Sequence, residues 1–310
     1  MEPRQDRVTL RFLAAPTDRG YSGGVGAGRV LEWIDKAGYA LAAAWSGKYC
    51  VTAYVGNVQF RRPVLVGDLV EVTARIIHTG RSSMHIDVVV SSSDPRVGRQ
   101  VENTQCLVIF VAVDDEGRSV EVPSWTPSTP EEKDDQEGAI RRIDLRALIE
   151  GAMAAQHYTD GGDAPREILR FLAAPTDVNW GGKVHGGIVM RWIDEAAHVV
   201  ATRWTKELRN VAVYSGGIRF YRPLFIGDLV EVDARLIHTG TTSMHISVHV
   251  RSSDPRVVAP RLTTHCLTVF VNLDDAGQPT QCPPWIPTDA DDRALDAHAV
   301  DLVGLRETVS

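Results

Sequence analysis

Residues 178–198 read VNWGGKVHGGIVMRWIDEAAH. Glycines open the stretch, which then turns almost wholly apolar around one carboxylate, Asp194. Ile188, Val189, Trp192, Ile193, Ala196, Ala197, Val199, Val200 and Trp204 fall around most of a helical circumference. That pattern predicts a helix over about 187–204 enclosed by other structure. A carboxylate is costly in such surroundings, so its presence asks for a chemical reason.

The stretch belongs to a unit written twice. RFLAAPTD stands at 11–18 and again at 170–177, GDLVEV at 67–72 and 227–232, IHTG at 77–80 and 237–240, and SSDPRV at 92–97 and 252–257. Asp35 and Asp194 are 159 residues apart, whereas the shared segments after them are 160 apart, so one residue enters between the helix and the next strand. A period this long is no solenoid and marks two copies of a whole domain.

Each copy predicts a Gly-rich loop, a helix (about 28–45 in the first) and then strands rich in β-branched residues, from VTAYVGNVQF (51–60) and VAVYSGGIRF (211–220) onward. Turns at Pro63, Gly67-Asp68, Gly80 and Asp94-Pro95, and at their partners, punctuate the strands. One long helix followed by antiparallel strands gives an α+β class, the sheet curled around the helix. The expected domains are 8–128 and 166–288, joined by a linker with a connecting helix (129–165) and followed by a helical tail (289–310). EEKDDQE at 131–137 reads as a solvated linker. AIRRIDLRALIEGAMAAQ at 139–156 reads as a helix packing on the sheet through Ile140, Ile143, Leu148 and Ile149, with a weaker version near 293–306.

Composition narrows the function. A net charge of −7 with no Lys/Arg run argues against a nucleic-acid partner. No run approaches the roughly 18–20 apolar residues of a membrane span, and MEPRQDRVTLRF lacks the apolar core of a signal peptide. A cytoplasmic protein is expected. Cys50, Cys106, Cys266 and Cys282 form no CxxC pair or zinc-spaced cluster and read as buried thiols, so neither metal nor cofactor is expected.

The order Asp-x-Asn, glycine, His-Gly-Gly, an apolar helix with Trp-Ile-Asp-Glu-Ala, Phe-x-x-Pro-x-x-x-Gly-Asp and Thr-Gly-x-x-Ser-Met resembles the acyl-CoA thioesterases of the hotdog fold, above all those with two fused hotdog domains. The match covers residues about 10–127 and 169–287, and the second repeat carries Asp177, Asn179, His185, Gly186, Gly187 and Asp194. The resemblance implies two sheets joined edge to edge and active sites at the seam, where an aspartate on one domain's helix works with an asparagine in the other domain's loop. It also implies an acyl-CoA substrate and a homo-oligomer, with a trimer of double hotdogs favoured. The turn TGRSSMH (79–85) lies near coenzyme A in that family, so Arg81, Ser82 and Ser83 are candidates for its phosphate. Arg62 and Arg222 are candidates for either coenzyme A or trimer contacts.

Elementary chemistry points the same way. The N–H groups and positive dipole end at a buried helix N-terminus suit a developing oxyanion, and Gly186 and Gly187 let a thioester approach the backbone. Asp194 lies seven residues beyond Gly187, about 10 Å along the axis, and is therefore expected to serve a site at the other domain's helix start. Burial raises a carboxyl pKa towards that of a base working near neutrality. Activation of water and direct attack on the thioester both remain open. Alignment sets Gly20 opposite Asn179, Gly26 opposite His185 and Ala27 opposite Gly186. The complete pair is then Asn179 with Asp35, while Asp194 faces Gly20 and its site is expected to be weak or dead. Two alternatives carry different chemistry: a non-catalytic acyl-CoA-binding or sensing protein, and an enoyl-CoA hydratase or dehydratase. His78, His85, His238 and His245 recur within strands in both halves and read as structural.

Overall fold

The computed structural model describes residues 4–159, 161–257 and 259–307, with the side chains of 142, 144–147, 306 and 307 left aside. The first half runs β1 (Arg7–Leu13), α1 (Ala27–Ser46), β2 (Tyr49–Val55), β3 (Val58–Gln59), β4 (Leu69–Thr79), β5 (Ser83–Ser93) and β6 (Val101–Val113). After α2 (Pro130–Ala155), the second half repeats it with β7 (Arg166–Leu172), α3 (Gly186–Thr205), β8 (Asn210–Phe220), β9 (Leu229–Thr239), β10 (Ser243–Ser253) and β11 (Arg261–Asn272). The chain's last helix is α4 (Ala290–Glu307). The final three residues of the expected tail lie outside the described residues.

All strand pairs are antiparallel, and they make one sheet in the order β1-β4-β5-β6-β2-β8-β11-β10-β9-β7. That order reads as a palindrome about the β2–β8 contact, where Tyr54 faces Arg219 and Val55 faces Ile218. Short β3 reinforces the seam by pairing Val58 with Ser215. The join covers an edge that each half alone would expose. Alternation dictates which strand face is apolar. In β4, Val70, Val72, Ala74 and Ile76 are fully buried between outward Glu71, Thr73 and Arg75, and β9 repeats this with Val230, Val232, Ala234 and Leu236. The Gly-Asp turns before these strands use positive φ at Gly67 (92°) and Gly227 (86°), which glycine adopts without strain. Each half is therefore a sheet wrapped around its own helix, α1 or α3.

The two helices meet at their N-terminal ends. A Cβ on Gly28 would lie 2.7 Å from the Cα of Arg191, and one on Gly187 would lie 2.7 Å from the Cα of Glu32. Glycine at these two places is thus required by helix–helix approach. Glu32 and Arg191 occupy equivalent positions in the repeats, and their side chains face each other at 3.7 Å. Burial pushes the Glu32 pKa up, but Lys36, Arg29 and Arg191 together outweigh it and hold the carboxyl below its usual value. A pair of identical halves would set like charges against each other here; the fused, diverged pair does not.

Two details depart from the sequence reading. EEKDDQE, read as a solvated linker, is solvent-facing but helical: it opens α2, whose Thr129 cap and Glu132 form a reciprocal capping box. The apolar stripe is also placed differently. Ile140 and Leu148 face solvent, while Ile149 and Met153 pack with Ile237 and Leu267 of the second sheet and with Leu295, Ala299 and Leu302 of α4. Polar ties decide the docking: Asp135 holds Arg75 at 2.6 Å, and Asp292 holds Arg235 at 2.5 Å. All four cysteines are free, buried thiols.

Candidate active site

Asp35 sits on the first buried turns of α1, but its side chain reaches the start of α3. Its Oδ2 accepts the Gly187 N–H at 2.8 Å, and its Oδ1 accepts the Thr52 hydroxyl at 2.6 Å. His185 caps α3, and its Nδ1 lies 3.0 Å from Asp35 Oδ2 and 3.1 Å from the Gly187 nitrogen. Nδ1 and Asp35 Oδ2 thus share the Gly187 N–H as acceptors. Asp35 and His185 are both buried. The carboxylate is thus fixed by two donors from its own half and the other, at the positive end of a helix that is not its own.

Asn179 comes from the loop before α3. Its Oδ1 accepts the N–H groups of Gly181 (2.9 Å) and Lys183 (3.0 Å), while Nδ2 lies 3.5 Å from the Val184 carbonyl. The amide is therefore held by its oxygen, with one of its two Nδ2 hydrogens turned to the Val184 carbonyl. The loop is pinned across the seam by aromatic rings. Trp180 stacks on Tyr39 at 4.6 Å and 5°, and Gly181 lies against Tyr49, where a Cβ would fall 2.2 Å from Cζ.

Asp35, Asn179, His185 and Gly186 line one cavity of about 520 Å³ between the halves. Tyr39, Cys50, Val51, Thr52, Trp180, Val189 and Leu224 complete its less polar walls, and Lys183, Arg222, Asp115 and Glu116 are further charged lining residues. Its size is that of a small-molecule site. Burial pushes the Cys50 thiol up to about 11, so it stays protonated. Gly186 meets the cavity directly: a Cβ there would stand 3.1 Å from both Asp35 Oδ2 and Thr52 Oγ1. The Gly187 N–H is already committed to Asp35, so of the two glycines only Gly186 keeps a first-turn N–H for a bound oxygen.

The sister position is built differently. Asp194 Oδ2 accepts the Gly28 N–H at 2.9 Å, the mirror of the Asp35 contact. Gly20, Gly26 and Ala27 stand where the first site has Asn179, His185 and Gly186, and Ala212 replaces Thr52. With burial as the main cause and one backbone donor in compensation, the Asp194 carboxyl is pushed up to about 6. Tyr21 stacks on His198 in place of the Trp180–Tyr39 pair.

The structure does not bring Arg81, Ser82 and Ser83 to the cavity. They form the β4–β5 turn, and exposed Arg81 borders an open surface depression with His78, Thr79 and Glu121. Arg222 lines the cavity and Arg62 does not. The recurring histidines pair with each other, His78 with His85 at 5.1 Å and His238 with His245 at 5.0 Å, away from the cavity. Thr52 escaped the sequence reading, although its replacement by Ala212 in the repeat was a visible signal. Tyr39, Trp180 and Lys183 carried no comparable signal, because only the fold sets them beside Asp35.

Two sheet-wrapped helices sharing one sheet, with paired carboxylates at the seam, define a tandem hotdog protein. The family model of the thioesterase superfamily matches residues 24–99 and 181–259, half of the chain, and the chain belongs to that superfamily. It is similar to the cytosolic acyl coenzyme A thioester hydrolase of Mus musculus, with 25% identity over 92% of this chain and 79% of that one. Acyl-CoA thioester hydrolase YciA of Salmonella typhimurium matches 38% of this chain and 92% of its own, at 34% identity. A crystal structure from Lactobacillus plantarum superposes with a TM-score of 0.61 over 87% of this chain and 97% of that one, and at 8% identity it shows the shared fold. Among the described residues, no helix is long and apolar enough to cross a membrane.

Proposed function

We propose that the protein hydrolyses fatty acyl-CoA to a free fatty acid and CoA, in the cytoplasm, at the cavity that joins Asp35 to Asn179. The observation that carries this reading is that a carboxylate from one half, an amide from the other and an open helix start line one cavity. The thioester carbonyl lies against the Asn179 Nδ2 and Gly186 N–H groups, which polarise it and receive the oxyanion. Asp35 takes a proton from water as the water oxygen bonds to the carbonyl carbon. The tetrahedral intermediate then expels CoA thiolate, which takes that proton back from Asp35. Thr52 and the Gly187 N–H hold the carboxylate in one orientation throughout, with His185 packed beside it. Arg222 supplies a cationic group of the cavity for CoA phosphates, a role the family resemblance implied for Arg81, Ser82 and Ser83. The Asp194 site lacks the amide, the histidine and the hydroxyl, and is weak or inactive. Three chains assemble as a trimer of double hotdogs, which mass measurement in solution tests.

Release of free thiol from acyl-CoAs is the direct assay. Asp35→Ala and Asn179→Ala each lose at least roughly tenfold in turnover, about 1.4 kcal/mol of barrier, and Asp194→Ala stays near wild type. Binding without thiol release overturns the hydrolase reading. Loss confined to Asp194→Ala reverses the assignment of the two sites.

A further inference from the structure

The cavity is short along both central helices. On α1 it is bordered by Asp35 and Tyr39 and by no later residue of that helix; on α3 it is bordered by Gly186 and Val189 and by none beyond. Tyr39 stands one turn past Asp35, about 6 Å along the axis. Its ring does not end there as a lone side chain. Trp180, reaching across from the other half, lies flat on it, and Phe110 and Tyr49 flank it at 6.5 and 6.3 Å between ring centroids. Phe110 is fully buried and pressed on Gly38, where a Cβ would meet its Cε2 at 2.6 Å, so Tyr39 is backed by packed core on that side.

We infer that the Tyr39–Trp180 stack is the end wall of the acyl site and restricts the enzyme to short acyl groups. The inference rests on the thioesterase reading of the cavity and adds the substrate class to it. With bonds of about 1.5 Å, a chain starting at a carbonyl beside Asp35 runs four or five carbons before it meets the ring. A longer chain has to separate the stack. Separation gives up an offset aromatic contact and exposes Tyr39, although Trp180 itself is already 70% exposed. Trp180 and Tyr39 are specificity residues in this account; neither touches the reacting atoms.

The test measures kcat/KM for butyryl-, hexanoyl-, decanoyl- and palmitoyl-CoA with wild type, Trp180→Ala and Tyr39→Ala. Wild type favours butyryl- or hexanoyl-CoA over palmitoyl-CoA by at least tenfold. Each variant raises the palmitoyl-to-butyryl ratio at least tenfold, whereas Asp35→Ala lowers all four substrates alike. Trp180 is exposed enough for its truncation to fold, and Tyr39→Leu supplies a milder second variant. Wild type that hydrolyses palmitoyl-CoA as fast as butyryl-CoA overturns the end wall and leaves the hydrolase standing, as does a ratio unchanged in all three variants. No thiol release from any of the four overturns the thioesterase reading and the end wall with it.

Discussion

Replacing Gly187 by alanine probes the one place where the architecture and the chemistry share an atom. The new Cβ would lie 2.7 Å from the Cα of Glu32 and 3.1 Å from its Cγ. Ordinary carbon contacts begin near 3.5 Å, and the obstacle is backbone, so α1 and α3 must part by roughly 0.7 Å or more. Overpacking of this kind costs about 1–3 kcal/mol. Alanine recovers up to about 1 kcal/mol of helix propensity, less at a first-turn position. The net is a loss of about 1–2 kcal/mol, which lowers Tm by roughly 3–6 °C. The same displacement stretches the 2.8 Å bond from the Gly187 N–H to Asp35, so turnover falls at least tenfold. Gly186→Ala is the control. Its Cβ meets side-chain oxygens at 3.1 Å rather than backbone, so Tm stays within about 2 °C while turnover falls comparably. Calorimetry and thiol release on both variants separate the effects. A Gly187→Ala protein with wild-type Tm and turnover refutes the claim that this glycine is needed for helix approach and for holding Asp35.

Two further outcomes depend on buried charge. The Asp194 carboxyl is raised to about 6, mainly by burial, so the folded state binds more protons than the unfolded between about pH 4 and 6, and stability drops as pH rises through that window. Asp194→Asn should therefore stabilise the protein by about 3 kcal/mol at pH 8 and far less at pH 4; destabilisation at pH 8 in urea titrations contradicts it. In the outer layer of the second half, His249 and His265 stack at 4.0 Å beside Tyr158 and His298. Burial, then Arg251 and Arg166, push His249 down to about 3, and burial with its neighbours His249, His298 and Arg251 holds His265 well below its ordinary value. Both stay neutral when folded, so stability falls with pH below about 6.5, by up to about 1.4 kcal/mol per pH unit for each. The first half has Val89 and Gln105 at these positions. The double change His249→Val, His265→Gln should flatten the acid limb of Tm against pH, and an unchanged limb shows that other groups set it.

Much of this protein was legible in one dimension. The repeat offset announced two copies, and apolar periodicity gave helices over about 28–45 and 187–204 where Ala27–Ser46 and Gly186–Thr205 are found. Alternation in LVEVTARI and LVEVDARL placed the inward faces of β4 and β9. The mismatch between Asn179 and Gly20 already marked the two seam sites as unequal. These features are local: they depend on side-chain period and on residue identity at aligned positions, and a chain carries both without folding.

Only the tertiary structure decided what meets what. That Gly187 is glycine because Glu32 crosses it, that Thr52 bonds Asp35, and that Trp180 lies on Tyr39 are facts about residues brought together from opposite halves or from separate elements of one half. The same holds for Arg81, which the family resemblance made a candidate and which lies outside the cavity. Contacts between distant segments are set by how the two sheets join and how closely the helices approach, and no period or spacing in the sequence encodes that distance.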